Sequence, residues 1–171
     1  MRGSTREDEL VILEQAAAKE AEAGAFYLRA QSMVQSGSTR RLLAKLAEEE
    51  AVHELIVRQQ ADSLGVGRGW SLSDRLARTR PDVAAPLEGR IKPLERELRP
   101  GDSEQDVLMY ALQLEGSAHS FYTRAADEAR GEVARELYRR LAAMERGHFE
   151  NLGLAYELIA QTGPQEPGGA V

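Results

Sequence analysis

The sequence predicts an all-α protein: a four-helix bundle made of two helical hairpins joined by a long connection. Three observations predict it. Apolar residues recur at steps of three and four along four long stretches, the signature of amphipathic helices. The chain also repeats itself at a constant offset of 95 residues, with Leu42, Leu46 and Ala47 returning as Leu137, Leu141 and Ala142. That offset is too long for a solenoid unit, so it reads as a duplicated hairpin. Finally, no proline interrupts the four stretches: Pro81, Pro86, Pro93 and Pro100 lie between the second and third, and Pro164 and Pro167 lie in the C-terminal tail.

After a flexible start at residues 1–4, Ser4 or Thr5 can cap the first helix, with Glu7 and Asp8 favourable in its first turn. Leu10, Leu13, Ala17, Glu20, Gly24, Tyr27, Gln31 and Val34 share one face of it. Gly37 is expected as its C-cap, and Ser38 or Thr39 as the start of a second helix that stops at Gly65. So short a turn makes the two helices antiparallel. Residues 65–101 read as a connector, with short helices expected over Ser71 to Arg80 and over Leu87 to Leu98, the latter broken near Pro93. A partner-docking arm around Trp70 is the other reading. Asp102 or Ser103 caps the third helix, which ends at Gly131, and the fourth runs to about Gln161. The expected division is therefore one domain over 1–162, with hairpins at 6–64 and 102–162, and a disordered tail at 163–171.

The chemistry sits at matched depths in the two hairpins. Glu145 and His148 are three residues apart, on a helix face that also carries Leu141, Leu152, Ala155 and Ile159. Glu50 and His53 repeat the spacing among Leu43, Leu46, Val57 and Leu64, so two of the three histidines follow a glutamate by three positions. Thirty residues before each pair stands another glutamate, Glu20 and Glu115. A carboxylate sent into a core is costly unless its charge is compensated, and a divalent metal compensates it. Four carboxylates carry a charge that two divalent cations would balance.

All four glutamates lie near mid-helix, so the hairpins can face each other with their turns at opposite ends. The chain must then run the full bundle length between helices two and three. Helices of about 27 residues span about 40 Å at 1.5 Å per residue. About 36 connector residues, at up to ~3.3 Å each, can cover that. This gives an up-down-down-up bundle with one long crossover; an up-and-down bundle with a large surface insertion satisfies the same lengths.

Composition excludes several classes. A net charge of −6 argues against nucleic acid as a partner, because phosphate binding needs a basic footprint. The absence of cysteine removes disulfides, thiolate metal sites, iron–sulfur clusters and thiol catalysis. No stretch reads as a signal peptide or membrane span, so no membrane partner and a cytoplasmic location are expected.

A glutamate from each of two helices plus Glu-x-x-His from each of the other two is the ligand set of di-iron carboxylate bundles. Over roughly residues 6–161 the sequence resembles the rubrerythrin branch of the ferritin-like superfamily. Glu20-Ala-Glu-Ala-Gly-Ala-Phe-Tyr27 with Glu50-Ala-Val-His53 is similar to the first half of a rubrerythrin di-iron domain, and Glu115-Gly-Ser-Ala-His-Ser-Phe-Tyr122 with Glu145-Arg-Gly-His148 to the second. The resemblance implies two irons, with manganese suiting the same ligands, held by Glu20, Glu50, His53, Glu115, Glu145 and His148. It also implies an oxidoreductase that reduces peroxide or dioxygen. Two departures stand out: there is no four-cysteine rubredoxin site to feed electrons, so the donor is external, and Ala118 replaces a further glutamate that rubrerythrins carry after the third-helix ligand.

Tyr27 and Tyr122 fall two turns beyond Glu20 and Glu115 and are expected to donate hydrogen bonds to metal-bound carboxylates; core packing is the plainer reading. His119, one turn after Glu115, is expected beside the metal face; an additional or replacement contact to the metal is the other reading. Gly24, Gly116 and Gly147 are expected where helices approach closely, and Glu48, Glu49 and Glu54 on a solvated face. Ferroxidase activity and a non-catalytic metal-stabilised or iron-sensing bundle remain alternative functions. An apolar outer face on such bundles leads to the expectation of a homodimer.

Overall fold

A computed structural model of the chain describes residues 5–81, 87 and 96–162. Five helices are present among these residues: α1 (Arg6–Ala30), α2 (Gly37–Gly65), α3 (Asp74–Arg78), α4 (Glu104–Glu128) and α5 (Glu132–Thr162). Residues 1–4, the tail 163–171 and most of the stretch from Leu87 to Leu98 lie outside the described residues. No described helix is long and apolar enough to cross a membrane.

The helix starts follow local chemistry. At α1 the Thr5 hydroxyl accepts the Asp8 N–H at 3.2 Å while the Asp8 carboxylate accepts the Thr5 N–H. Ser103 and Asp106 form the same reciprocal pair at α4. Each pair satisfies two of the four N–H groups that a helix start leaves without partners. The first turn differs from expectation. Gly37 is the first residue of α2, capped by Ser36, and does not cap α1. The reason is Arg40, whose guanidinium donates to the Gln31 carbonyl at 3.2 Å and the Val34 carbonyl at 3.1 Å. Those contacts satisfy the carbonyls that a left-handed glycine would otherwise help to serve. The left-handed glycine needed after α2 is Gly67, at φ +83°.

Helix α1 packs on α2 and α4, and α5 packs on α4 and α2. The side-chain pairs set the directions. Tyr27 meets Glu115, and Tyr122 meets Glu20, so moving forward on α1 moves backward on α4. Helices α1 and α4 are therefore antiparallel, as are α1 and α2, which makes the order up-down-down-up. The competing up-and-down topology is excluded. The two ends of the crossover agree. Trp70, just past α2, donates to Glu9 near the α1 start at 3.3 Å. At the other end Glu104, the first residue of α4, accepts the backbone N–H groups of Gln35 and Ser36 in the α1–α2 turn.

The crossover is tied to the bundle. Trp70 packs edge-on against Tyr138 at 5.6 Å, which turns it inward and removes it as a free docking arm. The helix expected over Ser71 to Arg80 is only the single turn α3, from Asp74 to Arg78. Arg140 of α5 ends it, donating to the carbonyls of Leu76 and Ala77 at 2.8 Å each and to that of Thr79. Leu76 is fully buried beneath it.

The core has two apolar parts with a polar layer between them. One contains Leu13, Ile56, Val57, Leu64, Leu76, Tyr122, Leu137 and Leu141. The other contains Phe26, Leu43, Leu46, Leu87, Leu108, Leu112, Phe149 and Leu152. Along each long helix the chain passes from one cluster to the other, and the glutamates and histidines fall at the change.

Candidate metal centre

Each long helix sends one or two polar side chains into that layer. Glu20 comes from α1, Glu50 and His53 from α2, Glu115 from α4, and Glu145 and His148 from α5. All six are at most 5% exposed. The spacing of three within each pair is what lets one helix present a carboxylate and an imidazole at the same level.

The six groups meet with near-twofold symmetry. His53 Nδ1 lies 3.0 Å from Glu50 and 3.0 Å from Glu145. His148 Nδ1 lies 2.8 Å from Glu50 and 3.7 Å from Glu145. Glu20 stands 3.7 Å from His53 Nδ1, and Glu115 stands 3.4 Å from His148 Nδ1. The two imidazole rings are nearly parallel, 8° apart, with centroids 5.2 Å apart. One possible ligand atom from each of Glu50, His53, Glu145 and His148 falls within 4.8 Å of the others. Glu50 and Glu145 thus lie between the two histidines, while Glu20 and Glu115 flank one histidine each.

Electrostatics show how unusual this layer is without a cation. Burial drives the Glu145 carboxyl well above its ordinary range, and Glu50 and Glu20 add to the shift. Burial likewise pushes Glu20 up to about 7, opposed by its hydrogen bond to His53. Burial alone would lower both imidazoles, but the surrounding carboxylates outweigh it and raise them. Glu50 goes the other way: burial would raise it, and the two histidines together pull it down.

The donor set fits a hard or borderline metal cation. Both Glu50 oxygens, His53 Nδ1, Glu115 Oε2, Glu145 Oε1 and His148 Nδ1 are buried without a well-formed hydrogen bond. Buried polar atoms are nearly always satisfied, and a group of them converging on one space is the arrangement a cation completes. Carboxylate and imidazole ligands without thiolate suit iron, manganese or zinc.

The tyrosines act across the seam. Each expected tyrosine lies on the same helix as one glutamate but bonds to the glutamate of the other hairpin: Tyr27 donates to Glu115 and Tyr122 donates to Glu20. Both are fully buried, and burial together with the carboxylates holds both hydroxyls protonated. His119 is buried outside this group, with Nε2 3.2 Å from Arg146. Ala23 and Ala118, corresponding positions in the two halves, line a small cavity of about 30 Å³ that reaches Glu20, Glu115 and Glu145.

A Cβ on Gly24 would lie 3.6 Å from Glu50 Cβ, and one on Gly116 would lie 3.7 Å from the Phe149 ring; both are ordinary packing distances, so neither position needs a glycine for close approach. Gly147 faces open space, so the expectation of close approach is overturned at all three positions. Glu49 also departs from expectation. Placed on a solvated face by its periodicity, it instead reaches across to His148, with Oε2 3.2 Å from Nε2. That hydrogen bond lowers its carboxyl to about 2 despite partial burial. The one signal for it in the sequence is its adjacency to Glu50, which three consecutive glutamates obscure.

Comparison with known proteins agrees with this geometry. Residues 106–166 match the family model described as rubrerythrin. Over that segment the chain resembles rubrerythrins, and its all-helical bundle is consistent with a ferritin-like fold. A solved structure of a hypothetical protein from Pyrococcus furiosus is similar to this chain over 90% of its length and 91% of the other. The sequence identity is 26% and the TM-score 0.64. No curated protein matches the chain. The matched segment contains Glu115, Tyr122, Glu145 and His148, so the second hairpin carries the rubrerythrin pattern more visibly than the first.

Proposed function

We propose that this protein is a di-iron carboxylate oxidoreductase that reduces hydrogen peroxide or dioxygen with electrons from an external donor. The observation that carries the reading is the buried, twofold-related group of four carboxylates and two imidazoles. A structural polar layer would pair each charge once and stop; this one sets four carboxylates against two imidazoles and leaves both Glu50 oxygens and Glu145 Oε1 without a well-formed hydrogen bond. Glu20 and His53 would serve one metal position, Glu115 and His148 the other, and Glu50 and Glu145 would lie between them. When bound, the irons would supply two electrons and Lewis acidity to the oxidant.

The protein's own groups do the rest. Tyr27 and Tyr122 hold Glu115 and Glu20 in orientation by donating to them. The apolar clusters on either side exclude bulk water from the layer. The cavity of about 30 Å³ beside Ala23 and Ala118, which reaches Glu20, Glu115 and Glu145, has room for a molecule of about the size of water. Reduction of the oxidant to water also takes up protons, which come from solvent because the ligands have released theirs on binding metal.

The test is anaerobic loading with ferrous iron followed by peroxide. Two irons per chain oxidised within seconds, and repeated turnover on adding a reductant, are the expected results. No spectral change on adding peroxide contradicts the reading. Accumulation of many irons per assembled particle would instead indicate iron storage.

A further inference from the structure

The two halves of the site use equivalent residues at their inner contacts, at distances that differ by up to 0.7 Å, and differ in residue type at one outer contact. Each histidine turns Nδ1 toward the carboxylates. At the outer nitrogen, His148 Nε2 lies 3.2 Å from Glu49, which in turn lies 3.6 Å from Lys45. The outer nitrogen of His53 is buried with no hydrogen-bond partner among the described residues. The repeat explains the difference. The positions 95 residues after Glu49 and Lys45 are Met144 and Arg140. Met144 packs against the apolar cluster and has no charge to offer an imidazole. Arg140 is committed to Glu136 and to the carbonyls at the end of α3. The half that holds the crossover has thereby given up the carboxylate that the other half retains.

We propose that Glu49 is a positioning residue that makes the two metal positions unequal, so that the position beside His148 and Glu115 fills first and binds more tightly. The inference rests on the two-metal reading above. An acceptor at Nε2 fixes the proton there and leaves the Nδ1 lone pair pointing inward. It also makes Nδ1 a better donor to a cation, and loss of such a partner typically costs about 10–100-fold in metal affinity. His53 lacks that support, so its ring must find its tautomer and orientation from packing alone.

The experiment uses the full chain with manganese(II) as the probe. Crystals are grown with one equivalent of manganese, and the ion is located by anomalous scattering. A parallel titration in solution gives the two dissociation constants. The wild type is expected to place the first ion against His148 Nδ1 and to show two steps at least tenfold apart. Glu49→Met makes the halves alike; it is expected to spread the first ion over both positions and to weaken the tighter step by about 10–100-fold. Glu49→Gln keeps the acceptor without the charge and should fall between. Circular dichroism of each variant controls for folding, which a surface change on α2 should leave intact. A first ion beside His53, equal occupancy in the wild type, unchanged steps in Glu49→Met, or an ion bound between Glu49 and Nε2 would each overturn the proposal. No bound ion at all would overturn the two-metal reading itself.

Discussion

At the residue scale the site depends on groups that would destabilise the protein if nothing balanced them. Tyr27 and Tyr122 are equivalent under the repeat, so Tyr27→Phe and Tyr122→Phe should behave alike. Each removes a donor from a buried carboxylate and should cost about 1.5–3 kcal/mol of stability in the metal-free protein, read by chemical denaturation. Effects differing severalfold would mean that the halves are not equivalent at these positions. Glu20 supplies a pH test. Its folded-state carboxyl is raised to about 7, above the unfolded value of 4.5. A raised acid takes up a proton on folding, so the stability it contributes is present below about pH 4.5 and lost as the pH climbs through about 7. The melting temperature of the metal-free protein should therefore fall between pH 5 and 8, and Glu20→Gln should flatten that slope. With metal bound the ligands are already deprotonated and the slope should reverse.

At the element scale the helices and their pairing were legible in the sequence, and the reasons are local. Thr5, Ser103 and their partners three residues on announce helix starts, and the prolines avoid the helices. What could not be read depends on contacts between distant segments. Gly37 has the residue type of a cap, but Arg40 makes that role unnecessary. Trp70 has the size and polarity of a docking residue, yet Tyr138 and Glu9 receive it. The turn α3 is held by Arg140, some sixty residues away, and no local pattern announces that. Arg140→Ala should therefore free the carbonyls at the end of α3, lower stability by about 1–3 kcal/mol, and raise protease sensitivity at residues 74–80. Cleavage no faster than in the wild type would show that Leu76 alone holds the segment.

At the scale of the whole molecule the duplication made the site readable. Two Glu-x-x-His pairs with matched upstream glutamates predict six groups at one depth, and the folded chain brings those six together. The repeat also concealed something. Reading both halves as equal leaves no reason to single out Glu49, because its counterpart is a methionine. The bundle is two apolar clusters separated by a charged layer, and its stability should depend on what balances that layer. A ligand present at about a thousand times its dissociation constant adds about 4 kcal/mol. For a chain of this length that corresponds to a rise of about 10 °C in melting temperature, measured with and without ferrous or manganous ion. A melting temperature indifferent to metal would leave the buried carboxylates balanced by protons alone.

The most direct test of that balance is the count of ferrous ions retained per chain after anaerobic dialysis, compared between the wild type and Glu50→Ala. The account predicts two in the wild type and none in the variant, because Glu50 lies between both histidines. Two ions retained by Glu50→Ala, or none by a correctly folded wild type, would contradict it.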